Sequence, residues 1–387
     1  MTAELPAENT KPGGLRLSHA LSHFGLAVLL LSTVLTSSAL ATQGTYTPPM
    51  LKGDLDIAYL GGVGLIQLED RSGSDQPWYE VASYAEQRHG LEFRGTFSPY
   101  HGIAVSLAIP ILMHRQLNWK QGNGFHYDPV SARPTLAGGE ALQPAALETS
   151  AASLRRFGPG DVRLGFRIVP FAQHGLPSRA APINLAFDIE LRFPSGANPI
   201  DTREDGSGFA GLGGPGLRLG ATASRQFGPA EPYLSLHYRH NGGYEVAGQS
   251  ATATDETSFT AGDSLHLGVG TEIMAFHDQE KGRWVRMDLQ LTASYLGPRD
   301  TVSGLQLPTT LAATLGQRAK ISERVEAGGD FSLWVSPTEK LALHFDIGAS
   351  WLSPHSVERH STNAYSVRTR NGSIGLRWGA GVRAHFR

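Results

Sequence analysis

The chain has no cysteine. A disulfide framework, a thiolate metal site and a lipid anchor built on cysteine are all excluded. Neither sign of charge is in excess: 33 Lys and Arg against 35 Asp and Glu leave a formal net charge of −2. No electrostatic pull toward nucleic acid follows from that balance. Charged residues are scarce altogether, at 18%. Long apolar runs are lacking as well. The one from Phe24 to Leu35 is too short to cross a bilayer as a helix. Neither G-x-S-x-G nor H-E-x-x-H occurs, which removes the hydrolase elbow and the zincin helix.

What is present begins with a leader. Lys11 and Arg16 precede that short apolar run, and Ala39-Leu40-Ala41 follows it as a small-x-small cleavage site. Residues 1–41 are expected to be a cleaved signal peptide and 42–387 one exported domain. Removing 1–41 takes Glu4 and Glu8 along with the two bases, so the charge stays the same.

Beyond the leader the dominant signal is alternation. In the last stretch Ile374, Leu376, Trp378, Ala380, Val382, Ala384 and Phe386 are apolar, with Gly375, Arg377, Gly379, Gly381, Arg383 and His385 between them. A period of two makes a strand with one oily and one wet face. About twelve such stretches can be read. Ile183 to Phe193 is among the clearest, and Asp54 to Leu68, blurred by glycines, is the weakest. From the second strand on, the connections run short, long, short, long. A transmembrane barrel sorts its connections this way, with short turns at the periplasmic end and long loops outside. The expected fold is all-β: a transmembrane antiparallel up-and-down β-barrel of about twelve strands. An Ala-rich piece, Ala145 to Phe157, is the one candidate for a short helix.

Some motifs carry a family likeness. Gly160-Asp161-Val162-Arg163-Leu164-Gly165-Phe166-Arg167 resembles the Gly-Asp-x-x-x-Gly-x-(Lys/Arg) signature of the MetA-pathway of phenol degradation family. Phe193-Pro194-Ser195-Gly196 resembles that family's Pro-(Thr/Ser)-Gly, and Gly262-Asp263 is similar to a pair found in related barrels. The resemblance covers roughly Leu91 to Tyr295. It implies an outer-membrane barrel labelled a transporter, grouped loosely with the long-chain fatty acid channels, with aromatic or lipid-like cargo. It implies no catalytic residues and no cofactor.

The wet face supplies the candidate site. Arg163, Arg167, Asp188, Glu190, Arg192, Arg218, Arg286, Asp288, Glu326, Asp330, His344, Asp346, Arg377 and Arg383 are expected to face a lumen, together with Glu92, Arg94 and Glu272. They read either as a pore lining that selects solutes or as an ion-paired network that fills a narrow lumen. Twelve strands lie between eight, which fill with side chains, and sixteen, which leave a water channel.

The remaining motifs read more plainly as structure. Gly211, Gly213 and Gly216 match G-x-G-x-x-G but lead into a strand, so they are loop glycines. Ser235 and His237 share a face and form a candidate hydrolase dyad. Asp201, Glu204 and Asp205, and separately His355, Glu358 and His360, are sparse metal candidates. Phe193, Tyr295, Trp351 and Trp378 suit an interfacial girdle. The expected partners are outer-membrane lipids, a small solute, and the barrel-assembly machinery acting on the C-terminal strand. The barrel is expected to be a monomer or a small homo-oligomer.

Overall fold

Twelve long strands form one closed wall in the computed structural model, which describes residues 51–70, 79–121, 154–171, 183–196, 213–245, 258–278, 280–302, 318–359, 366–369 and 372–386. In chain order they are β1 (Lys52–Asp70), β2 (Tyr79–Tyr100), β3 (Ile103–Gln121), β4 (Val162–Phe171), β5 (Asn184–Phe193) and β6 (Gly216–Ser224). They continue as β7 (Ala230–Asn241), β8 (Ser264–Asp278), β9 (Arg283–Leu296), β10 (Arg324–Thr338), β11 (Leu341–Leu352) and β12 (Ser373–Phe386). Each pairs antiparallel with the next in the chain, and β12 returns to β1 from Gly53↔Phe386 to Gly64↔Gly375. The leader expected over 1–41 lies outside the described residues.

Burial follows the alternation, with the usual sense reversed. Leu291 is 71% exposed and Ile347 60%, while Arg163 is 2% exposed, Asp288 2% and His344 0%. A water-soluble domain buries its aliphatics and exposes its charges. Here the oily faces form a continuous outer belt and the charged faces turn into the lumen, as in a membrane barrel. Aromatics frame the belt. Phe193, Tyr238, Tyr295 and Trp351 sit toward the loop end, and Phe97, Tyr100, Phe171, Phe227 and Phe386 toward the turn end.

The connections separate by end. Those at 101–102, 225–229 and 339–340 join strands at one end, and those at 122–161, 194–215, 242–263 and 353–372 at the other. Gly102, at φ +71°, makes the first turn. It takes the left-handed backbone that a β-carbon disfavours. At the loop end the wall continues above the belt. Arg299–Val302, Arg318–Ile321, Ser356–Arg359 and Ser366–Thr369 pair in series, and the last of them pairs with the top of β1.

Two expectations change. The alternation of Leu91, Phe93 and Phe97 marks the second strand in the sequence, but that strand starts at Tyr79. The part of the Ala-rich piece that is described, from Leu154 to Phe157, belongs to a strand, Leu154–Pro159, paired with β3 and not to a helix. An edge left open by β3 satisfies that backbone better than a turn of helix with nothing to pack on.

Candidate functional site

The inward charges meet as pairs. On the wall from β2 to β7, Glu92 accepts from Arg94 at 2.9 Å and also from Arg163. Arg167 Nε donates to Asp188 at 2.6 Å. Glu190 lies in the field of Arg163, Arg218 and Arg94. Arg192 reaches Asp161 at 3.6 Å and the Asn241 amide oxygen at 2.9 Å. Arg218 abuts His237 at 3.3 Å.

The opposite wall repeats the pattern. Arg286 donates to Glu272 at 3.1 Å, and the Tyr233 hydroxyl donates to Asp288 at 3.0 Å. Arg377 grips Asp330 with two nitrogens, Nε at 2.7 Å. Glu326, buried, lies in the field of Arg88 and Arg377. Asp56 accepts Nε and Nη2 of Arg383 at 2.9 and 2.7 Å. His344 sits between two carboxylates, with Nε2 at 3.2 Å from Asp56 and Nδ1 at 3.0 Å from Asp346. Burying charges at this density is tolerable only because each finds an opposite charge or a hydrogen bond.

Large side chains enter this space where the facing residue is glycine. A β-carbon at Gly381 would run into His344 Nε2, and one at Gly270 into the Tyr233 hydroxyl. His344 stacks on Trp334 with ring centroids 4.3 Å apart, and the Arg383 guanidinium lies 4.4 Å over the same indole. This stack, built by the adjacent strands β10, β11, β12 and β1, lies on the inner wall toward the turn end.

Beside it is a cavity of about 380 Å³, lined among others by Met274, Trp284, Arg286, Trp334, Arg383 and Phe386. A much smaller space of about 10 Å³ lies between Glu86, Arg88, Ser350 and Arg377. It is large enough for a single water.

All fourteen charged candidates, with Glu92, Arg94 and Glu272, stand on the inner face. Sequence reasoning missed Asp54, Asp56, Tyr233, Trp284 and Trp334. Asp54 and Asp56 alternate with Leu55 and Ile57, a signal that the glycines farther along β1 obscured. The three aromatics occupy the wet phase of their strands, and that phase alone could have marked them.

The two quoted family segments meet at the loop end. Val162 N–H donates to Ser195 Oγ at 2.8 Å, and Gly196 N–H donates to Asp161 at 3.2 Å. Asp263, from the third motif, gathers three donors: Tyr238 O–H at 2.6 Å, His240 Nδ1 at 2.9 Å and Asn241 N–H at 3.2 Å. Partial burial alone would raise its pKa. The Tyr238 and Asn241 hydrogen bonds and the His240 ring outweigh that and hold it below the ordinary carboxylate range.

The other motifs do not assemble. Ser235 Oγ contacts the Gly268 carbonyl at 3.4 Å and His237 faces Arg218, so the dyad is not made. His355 is buried against Ser353 and Thr369, while Glu358 is exposed and bonds Ser356. His360, Asp201, Glu204, Asp205 and Gly211 lie outside the described residues. Among the described residues no group of three metal-ligating side chains forms. Gly213 and Gly216 enter a strand, as read.

No protein-family model matches the chain, and no curated protein does. Solved structures do. An outer membrane channel from Pseudomonas putida F1 has a TM-score of 0.50 and 11% identity, over 89% of this chain and 98% of that one. The beta domain of the Bordetella autotransporter Brka has a TM-score of 0.40 at 11% identity, covering 87% and 100%. A Pseudomonas aeruginosa FadL homologue has 0.33 at 9%, covering 87% and 90%. At such identities the likeness to the first is one of fold, a barrel of the outer-membrane kind.

Proposed function

We propose that the chain is an outer-membrane conduit for small solutes, with a lumen gated by its own ion pairs. The observation that carries this is the filling of the lumen. A barrel that needs only to be shut can be packed with aliphatic side chains, and replacing buried ion pairs by apolar groups of similar volume is often neutral or stabilising. This lumen instead keeps charge throughout, on long arginine stems that can re-pair, and it carries a cavity of about 380 Å³ at the turn end. Such a filling yields to water and solute more readily than an oily one. The solved barrel that supports the fold is described as an outer membrane channel. The family likeness in Gly160–Arg167 favours apolar or aromatic cargo.

Single-channel recording in planar bilayers tests the proposal. The wild-type chain is expected to give resolvable unitary currents. Arg377→Ala with Asp330→Ala removes a whole pair, leaves Glu326 in the field of Arg88, and should raise the unitary conductance about twofold. Silence from both proteins would overturn the conduit. A second reading, a closed barrel that works through its outer loops, is favoured by how completely the described lumen charges are paired. It requires that silence.

A further inference from the structure

The inner charges are sorted by side of the barrel. Arg94 on β2 pairs with Ala108 on β3, Ala108 with Arg163 on β4, and Arg163 with Arg192 on β5. One hydrogen-bonded row thus carries arginine on three of four neighbouring strands. Farther round the wall a second row carries the opposite sign. Glu231 on β7 pairs with Glu272 on β8, Glu272 with Asp288 on β9, Asp288 with Ser332 on β10, and Ser332 with Asp346 on β11. In the closed ring of strands, β2–β5 and β7–β11 occupy opposite arcs.

Fold stability does not explain this sorting. Like charges directly opposite each other on neighbouring strands are destabilising. Arg163 and Arg192 stand that way, as do Glu231 and Glu272, and Glu272 and Asp288. Arg218 and Arg239, also directly opposite, continue the basic side onto β6 and β7. A filling that served only to hold the wall would alternate the signs, as Arg167 and Asp188 do. Arg286 and His344 offset part of the acidic row. Elsewhere the neighbours preserve the imbalance. Arg94 and Arg163 share one carboxylate, Glu92. Asp288 is met by the uncharged Tyr233 hydroxyl at 3.0 Å, and Glu231 by the Asn184 amide at 2.9 Å. Between low-dielectric walls, charge separated in this way sets up a field directed from one arc to the other.

We infer that the conduit favours small zwitterions, which turn their anionic end to the arginine row and their cationic end to the carboxylate row. The inference deepens the conduit reading and rests on it. A solute with a single charge is attracted by one row and repelled by the other, whereas a zwitterion gains from both.

Liposome swelling tests it with two isomers, β-alanine and lactamide. They contain the same atoms, and at neutral pH the first is a zwitterion and the second uncharged. Into liposomes holding the full-length chain, and after subtraction of the protein-free rate, β-alanine is expected to enter at least about threefold faster, a smaller factor than one charged hydrogen bond gives. Arg192→Gln with Asp288→Asn takes one charge from each row and leaves the net charge unchanged. It should lower the ratio of the two rates about twofold, the scale of one solvent-screened charge pair. Equal entry of the isomers, or faster entry of lactamide, would overturn the inference and leave the conduit standing. Entry of neither above the protein-free rate would overturn both. An unchanged ratio in a double variant that keeps its heat-modifiable mobility on gels would remove the two rows as the cause. The isomer comparison decides alone if that variant does not fold.

Discussion

Individual side chains in this lumen stand in for a hydrophobic core, and their energetics differ from a core's. Asp56 shows the consequence. It compensates Arg383 and one side of His344, and with Arg383 it is more than nine-tenths buried. Asp56→Asn keeps the shape and removes the charge that the guanidinium and His344 share. Breaking one partner of a buried pair costs about 3–5 kcal/mol. Water in the lumen trims this, so about 3 kcal/mol is expected, read as an earlier midpoint in urea unfolding from vesicles. Glycine provides a second test. Gly381→Ala pushes the His344 ring from its seat between the carboxylates and should cost about 1–3 kcal/mol, the usual range for overpacking. At Gly329 an added β-carbon meets Leu291 at 3.4 Å and the Gln290 carbonyl at 3.5 Å, both ordinary contacts, so Gly329→Ala should be close to neutral in the same assay.

Along each strand, legibility in the sequence depended on whether alternation ran unbroken. β5 and β12 do, and both were readable end to end, inner face included. β2 and β3 do not. His89 pairs with His114 and Gly90 with Leu112, so Met113 bulges out of the ladder. Beyond the bulge the inward phase of β3 moves from even to odd numbers, and Arg115 bonds Glu86 at 2.9 Å. A period count that assumes one phase loses the strand there, so alternation alone does not follow β3 past the bulge. Trp334 was overlooked for a different reason. Tryptophan in a barrel strand suggests a lipid girdle, and only its phase beside Ser332 and Ser336 points inward. The rim motif around Asp263 allows a test at this scale. Its pKa is depressed in the folded state, so its contribution is full above the unfolded value of about 3.9 and is lost as pH falls through the lower folded value. Hydrogen exchange of amides near Tyr238–Asn241 should therefore quicken, relative to the rest of β7, between pH 5 and about pH 3. Asp263→Asn should show the faster exchange at every pH and lose that dependence.

At the level of the molecule, the question is which medium the outer belt meets, because the inward charges make sense only if hydrocarbon surrounds the wall. Leu291 offers the sharpest probe. It is 71% exposed near the middle of β9, and its neighbour Gln290 points into the lumen at 9%. If the wall stood in water, a charge at Leu291 would be harmless and one at Gln290 would have to find room and a partner among fixed charges. In a membrane the order reverses. Leu291→Arg places a guanidinium near the bilayer midplane, where such a group costs about 2–4 kcal/mol. Gln290→Glu puts its charge on the inner face, opposite Asp330 and Gly270, with water in reach. The first variant should unfold from vesicles at a clearly lower urea concentration than wild type, by that margin. The second should lose less than about 1.5 kcal/mol, the cost of an added like charge beside Asp330 in a partly hydrated site. Equal stability of Leu291→Arg and wild type in lipid would mean the oily faces are covered by something other than hydrocarbon, and the inside-out arrangement of charge would then need another cause.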